Sequence, residues 1–237
     1  MKLRTLLFIA ALSNISVFYS NANPSIISPD TSYLSYPDKP DTKTIEIRNA
    51  SDILIQTGKL VGNKKEGLYR WYYDQGTIWM IQEFKNDTAD GIFLKFLTNG
   101  ALELEENYYE GKLHGRRIVY RFGGITKSIE NYKNGLQDGI QSAFYDNGFK
   151  QEVSVYKDGI RDGISKWYNQ SGILSIEQTY VNGILEGPSK TYYFNGKLKS
   201  EGVYLNNLEN GEWKYFDESG NLTKTEYYKN GEITETH

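Results

Sequence analysis

From about residue 44 onward the chain alternates apolar and polar positions in short runs. Ile164–Asn169 and Ile173–Tyr180 are examples, six and eight residues long, rich in β-formers and too short for helices. Turn formers close the runs, with Asn-Gly at 99, 134, 147, 182, 195, 210 and 230 and Asp-Gly at 90, 138, 158 and 162. Such pairs accept the positive φ that tight hairpin turns require. The pattern predicts strands joined by hairpins.

The runs recur with a period of 24 residues. A first set of glycines, Gly67, Gly91, Gly115, Gly139, Gly163, Gly187 and Gly211, marks the period, and a second set follows nine residues later at 76, 100, 124, 148, 172, 196 and 220. Aromatics keep the phase, at Tyr72, Phe96, Tyr120, Phe144, Tyr168, Tyr192 and Phe216, and at Phe84, Tyr108, Tyr132, Tyr156, Tyr180, Tyr204 and Tyr228. Seven copies match without insertion. The first glycines and the first aromatic column are read as the structural frame of the repeat. One copy has too little apolar surface to fold alone, so the copies must stack. The expected fold is all-β: seven 24-residue β-hairpin repeats in an elongated, twisted antiparallel sheet. Fourteen strands spaced by about 4.8 Å make a ribbon on the order of 70 Å long. Both aromatic columns are expected as ladders along one of its faces.

Flanking segments divide the rest. Residues 1–22 have a basic start (Lys2, Arg4), an apolar run from Leu6 and small residues at Ser20-Asn21-Ala22, the pattern of a cleaved signal peptide. Residues 23–43 hold four of the five prolines and are expected as an extended tether. Residues 44–66, with alternating isoleucines, are expected as N-terminal capping strands, 67–231 as the repeat array and 232–237 as a polar tail over the last edge.

Copies such as Tyr156-Lys-Asp-Gly-Ile-Arg-Asp-Gly-Ile-Ser-Lys-Trp-Tyr and Glu209-Asn-Gly-Glu-Trp-Lys-Tyr-Phe-Asp-Glu-Ser-Gly resemble the bacterial variant of the MORN repeat. The resemblance spans about residues 58–231 and implies stacked hairpins serving as an interaction surface. Many bacterial relatives of this kind carry the label of a YwqK-type antitoxin. The third copy departs from the pattern, with His114 for the acidic residue and Phe122-Gly123-Gly124 at the turn.

Composition narrows the chemistry. There is no cysteine, which removes disulfides, thiolate catalysis and a lipid anchor on an N-terminal Cys. Loss of residues 1–22 leaves 25 Lys+Arg against 30 Asp+Glu, a net charge of −5 that disfavours nucleic-acid binding. After signal cleavage no integral membrane segment is expected. The acids before the first glycine (Glu66, Asp90, Asp138, Asp162, Glu186) fit turn formers better than calcium ligands, since equivalent carboxylates about 10 Å apart cannot share an ion. Neither histidine, His114 or His237, has a nucleophile or orienting acid at a meaningful spacing, so no catalytic residue, metal or cofactor is assigned.

Two groups stand out as binding candidates. Trp71, Trp79, Trp167 and Trp213 do not recur in every copy, and counted from each copy's first glycine they fall at even positions, whereas the aromatic columns fall at odd ones. Alternation then predicts that these Trp side chains, joined by Tyr215, lie on the opposite face, where they either pack against a second layer or form an exposed binding stripe. Lys112, His114, Arg116 and Arg117 make the third copy locally basic, a candidate anion patch. The sequence therefore predicts an exported, non-enzymatic scaffold that binds another protein in the periplasm, at the outer envelope or outside the cell, and the resemblance implies an antitoxin or immunity role as its sharpest form. An envelope glycan or lipid module is the rival reading, and a hydrolase built on its many carboxylates a remote one.

Overall fold

The computed structural model describes residues 30–237, so the expected signal segment and residues 23–29 of the tether lie outside it. Among the described residues there is no helix, and 22 antiparallel strands form one open, twisted sheet. Four of these strands are two-residue pieces that extend a neighbour. The eighteen longer ones, at about 4.8 Å each, give a strand-to-strand path of roughly 80 Å.

The fifth copy shows the unit. Strand Gly163–Tyr168 bends through Asn169–Ile173, a loop closed by Asn169 N donating to Ile173 O (2.9 Å) and Gly172 N to Asn169 O (2.9 Å). Strand Leu174–Val181 returns and turns at Asn182-Gly183, whose φ angles of 50° and 81° make a type I′ turn that suits the sheet's right-handed twist. Strand Ile184–Tyr192 then opens the next copy.

The first glycines hold the period as expected, but their local role needs correction. Asp162-Gly163, expected as a hairpin turn, is a kink. The two-residue strand Ile160–Arg161 pairs with Tyr156 and Lys157, and Gly163, at φ +123°, redirects the chain into the main strand. Asp90-Gly91, Asp138-Gly139 and Asn210-Gly211 are corrected in the same way, and Gly67, Gly115 and Gly187 share the position. The φ angles of these six other glycines run from +72° at Gly211 to +112° at Gly91. Gly67 and Gly139 begin the main strands Gly67–Tyr72 and Gly139–Phe144, whereas Gly91, Gly187 and Gly211 lie inside the unbroken strands Thr88–Phe96, Ile184–Tyr192 and Leu208–Phe216. The physical reason is that the tight turn falls four to five residues earlier, as at Asn182-Gly183 before Gly187, so the first glycine meets a ladder already under way. The third copy keeps the same frame, with strands Gly115–Tyr120 and Thr126–Lys133.

The tether reading needs correction from residue 30 on. Asp30–Tyr36 and Lys39–Arg48 form an antiparallel hairpin with Pro37 in its turn. Pro40 falls where the register shifts and has no strand partner, so its missing N–H breaks no ladder. Leu54–Val61 continues the sheet into the array, where Leu60 packs on Ile45, Tyr69 and Phe84. At the far end Glu232–Thr236 is a strand, and His237 exchanges two 2.8 Å backbone bonds with Thr225.

The core is a column along the middle of one face. With the first glycine of a copy as position 0, position 2 pairs with position 15, as in Tyr69↔Gln82 and Ser165↔Gln178. Tyr69, Gln82, Glu106, Gln141, Ser154, Ser165, Ser189, Trp213 and Glu226, all from these two positions, are buried. Paired residues share a face, and 2 and 15 differ in parity, so even positions on the first strand lie beside odd ones on the second. The column Phe84 to Tyr228 (position 17) is therefore on the core face. The column Tyr72 to Phe216 (position 5) is on the other, where Tyr72 Oη meets Thr57 Oγ1 at 3.3 Å and Tyr120 Oη meets Glu105 Oε2 at 3.5 Å. The expectation of two ladders on one face fails because parity counted along the chain does not survive the loop between the strands.

Candidate functional site

Three of the four tryptophans belong to the core face. Trp213 is 3% exposed, edge-on to Tyr204 at 5.2 Å, and so is no surface contact. Trp167 meets Tyr180 at 6.5 Å, and the Arg161 guanidinium lies 5.2 to 5.5 Å from the rings of Tyr180, Trp167 and Tyr156 while binding Glu152 at 2.5 Å. Trp71 packs against Tyr69 and Phe84, at 6.1 and 6.4 Å. Trp79 stands apart, its ring 6.2 Å from Tyr73. Tyr215 meets the Tyr228 hydroxyl at 3.1 Å, with Lys224 Nζ 4.4 Å from its ring centre. The expected Trp stripe on the face opposite the Tyr180 column is corrected accordingly, for the same reason of parity.

The basic residues of the third copy do not converge either. Lys112 and Arg116 are exposed, whereas Arg117 points to the core face and donates to Glu106 Oε1 at 2.8 Å and Glu130 Oε2 at 3.0 Å. Two carboxylates on one guanidinium leave a net negative triad, not an anion site. Burial pushes the Glu130 carboxyl up, but hydrogen bonds from Tyr132 and Ser128 and the Arg117 charge outweigh it and hold it below the usual range. Burial, followed by the bond to Glu130, raises the Tyr132 hydroxyl to about 12. His114 is half-buried with its ring 5.7 Å from Tyr109.

Glu66 and Glu186, two of the acids before the first glycine, act across the hairpin. Glu66 Oε2 accepts from Asn86 N at 3.1 Å, and Glu186 Oε2 from Asn206 N at 2.8 Å, so each steadies the tight turn of its own copy. Among the described residues no three of His, Asp and Glu gather as a metal site would need. Copies are also clamped at the looser turns, where Tyr73, Tyr145 and Tyr193 donate to the carbonyls of Phe96, Tyr168 and Phe216 at 2.7 to 2.8 Å.

One surface feature was missed by the sequence reading. Leu136, Ile160, Ile184 and Leu208 follow the tight turns of copies three to six and are 40 to 50% exposed. Leu136 and Ile160 pair with Lys133 and Lys157, and Ile184 and Leu208 with Val181 and Leu205, so these residues share the face away from the core. Ile140 (56%), Ile164 (47%) and Val203 (44%) continue that face inward. Together they form an aliphatic belt along the turn edge, larger than the scattered apolar residues normal on a monomer. The signal was present in Asp158-Gly-Ile160 and Asp162-Gly-Ile164, where an aliphatic residue follows each glycine.

A single-layer sheet of stacked hairpins with a continuous edge of turns is the architecture of a β-hairpin repeat array. Four segments, residues 65–86, 161–182, 185–206 and 209–234, match the MORN repeat variant. Each match begins two residues before a first glycine (Gly67, Gly163, Gly187 and Gly211), on the short stretch of ladder ahead of the kink. Nothing among the curated proteins matches the chain.

Proposed function

We propose that this protein is an exported, non-enzymatic scaffold that holds another protein against the aliphatic belt of copies three to six. The observation that carries this is the belt itself, with aliphatic side chains left about half in water on the face away from the core column. The MORN repeat matches support a binding module. Export rests on the signal pattern of residues 1–22, and an antitoxin role on the family resemblance alone. The glycan alternative draws less support from its tryptophans, because Trp213 is buried and Trp167 packs against Tyr180 and Arg161.

A photo-crosslinking residue at Ile164, with a control at the exposed Glu218 on the opposite turn edge, tests the reading in the producing cell. A discrete protein adduct at 164 is expected, lost when Ile140 and Ile184 are changed to Glu while the urea midpoint stays within about 1 kcal/mol of the original. Equal adducts at 164 and 218, or none, would sink it.

A further inference from the structure

We propose that the first strand, Asp30–Tyr36, is a pairing edge for a second copy of this chain, joining two sheets antiparallel about a twofold axis at Tyr33. The strand pairs on one side only, with Lys39–Arg48. Among the described residues nothing pairs with its outer side, and all seven residues are exposed, Tyr33 at 60% and Leu34 at 62%. An outer edge of this kind carries a row of backbone donors and acceptors, and sheet proteins normally guard it with lysine, proline or inward charge. Asp-Thr-Ser-Tyr-Leu-Ser-Tyr has none of these between Pro29 and Pro37, and its one charge stands at its first residue.

The two ends of the sheet differ in this respect. The last strand, Glu232–Thr236, carries two carboxylates in five residues, so mating it with itself would gather four acids along one seam. The first strand is self-complementary instead. A twofold at Tyr33 sets Ser32 against Leu34, Thr31 against Ser35 and Asp30 against Tyr36 of the second copy, with no like charges opposed. Such an isologous contact closes as a dimer. Backbone bonds along seven residues supply the affinity, as in other strand-addition interfaces. This edge is separate from the aliphatic belt and leaves it free.

Sedimentation velocity of the purified native protein over a concentration series, with hydrogen exchange of those amides of residues 31–35 that face away from Lys39–Arg48, provides the test. A reversible dimer is expected, with exchange slowing as concentration rises. Ser32→Lys/Leu34→Lys places lysines opposite each other at both crossings and should weaken the dimer at least about tenfold, with an unchanged circular dichroism spectrum. Ser32→Lys/Leu34→Glu places opposite charges at the same crossings and should restore it. A monomer at every concentration would overturn the proposal. So would slow exchange of these amides in the monomer, which would mean that the chain's own N-terminal segment covers the edge. Equal dimerisation by the two double variants would also overturn it, by putting the interface elsewhere.

Discussion

Gly202 lies directly beneath the indole of Trp213, and a Cβ built on that glycine would run into ring atoms Cδ2, Cε2 and Cγ. Gly58 and Tyr69 repeat the relationship at the other end of the array. The central column is thus filled by complementary sizes, a large ring over a glycine in the end copies and Ser154, Ser165 and Ser189 in the middle ones. The repeat constrains the backbone while each neighbouring pair settles its own volume.

This relationship predicts a strong coupling. Gly202→Ala should cost about 1–3 kcal/mol by overpacking, and Trp213→Ala about 3–5 kcal/mol. In the Trp213→Ala background the ring is gone, and adding Gly202→Ala should cost under about 0.5 kcal/mol. Urea midpoints of the four proteins measure it. An equal cost in both backgrounds would show that the two sites do not share one volume.

Trp167 should behave as core rather than as contact. It packs against Tyr180 and the Arg161 guanidinium, so Trp167→Ala should destabilise by about 2 kcal/mol, less than a fully buried aromatic because the ring is half-exposed. Tyr168→Ala, on the opposite face, should fall in the same range. Denaturation in urea decides, and a Trp167→Ala midpoint equal to the original would mean that the ring carries no packing.

The strands, the period and the positive-φ turns were legible because they depend on local chemistry, such as the Asn182-Gly183 pair, repeated at fixed spacing. The faces were not. Whether Trp167 lies beside Tyr168's column or Tyr180's depends on the 2↔15 register, which the bulge at Trp167/Tyr168 and the loop Asn169–Ile173 set through space. Asp138-Gly139 and Asn210-Gly211 have the same local chemistry as a true turn, and only the pairing of the residues before them shows that they are kinks. Arg117 looked like part of a basic surface because Glu106 and Glu130 stand 11 and 13 residues away, and only strand pairing brings them to it. The hairpin Asp30–Arg48 was hidden by its prolines, of which Pro37 marks a turn and Pro40 a register shift rather than absent structure.

Gly163 and Gly148 separate backbone strain from crowding. Both have positive φ, +123° and +84°, but a Cβ at Gly163 would lie 3.0 Å from Val155 Cβ, whereas at Gly148 it meets nothing within 4 Å. Gly148→Ala should cost about 1–2 kcal/mol from the left-handed backbone alone. Gly163→Ala should cost more, and Val155→Ala in that variant, which removes Cγ1 (3.4 Å) and Cγ2 (3.5 Å) and so lets the remaining Cβ give way, should recover part of the difference. The order of the urea midpoints checks this, and equal costs for the two glycines would remove the role given to Val155.

The Glu106–Arg117–Glu130 triad should make stability depend on acid in a residue-specific way. The Glu130 carboxyl lies below its ordinary value of 4.5 in the folded protein, so the folded state takes up its proton less readily than the unfolded chain. Its contribution is therefore complete above about pH 4.5 and fades as pH falls through the folded value. Glu130→Gln removes the charge and leaves Arg117 with Glu106 alone, which at pH 7 should cost about 1.5–3 kcal/mol, the range of hydrogen bonds to charged groups. As pH falls through the folded carboxyl's lowered value the native protein loses that charge too, so the two proteins should converge in urea midpoint on acidification. Arg117→Met should cost more at neutral pH, about 3–5 kcal/mol, because it leaves two carboxylates facing each other on the core face. That cost should shrink on acidification as the carboxylates protonate. A Glu130→Gln deficit that stays constant from pH 7 to pH 3 would show that the carboxyl contributes shape there and not charge.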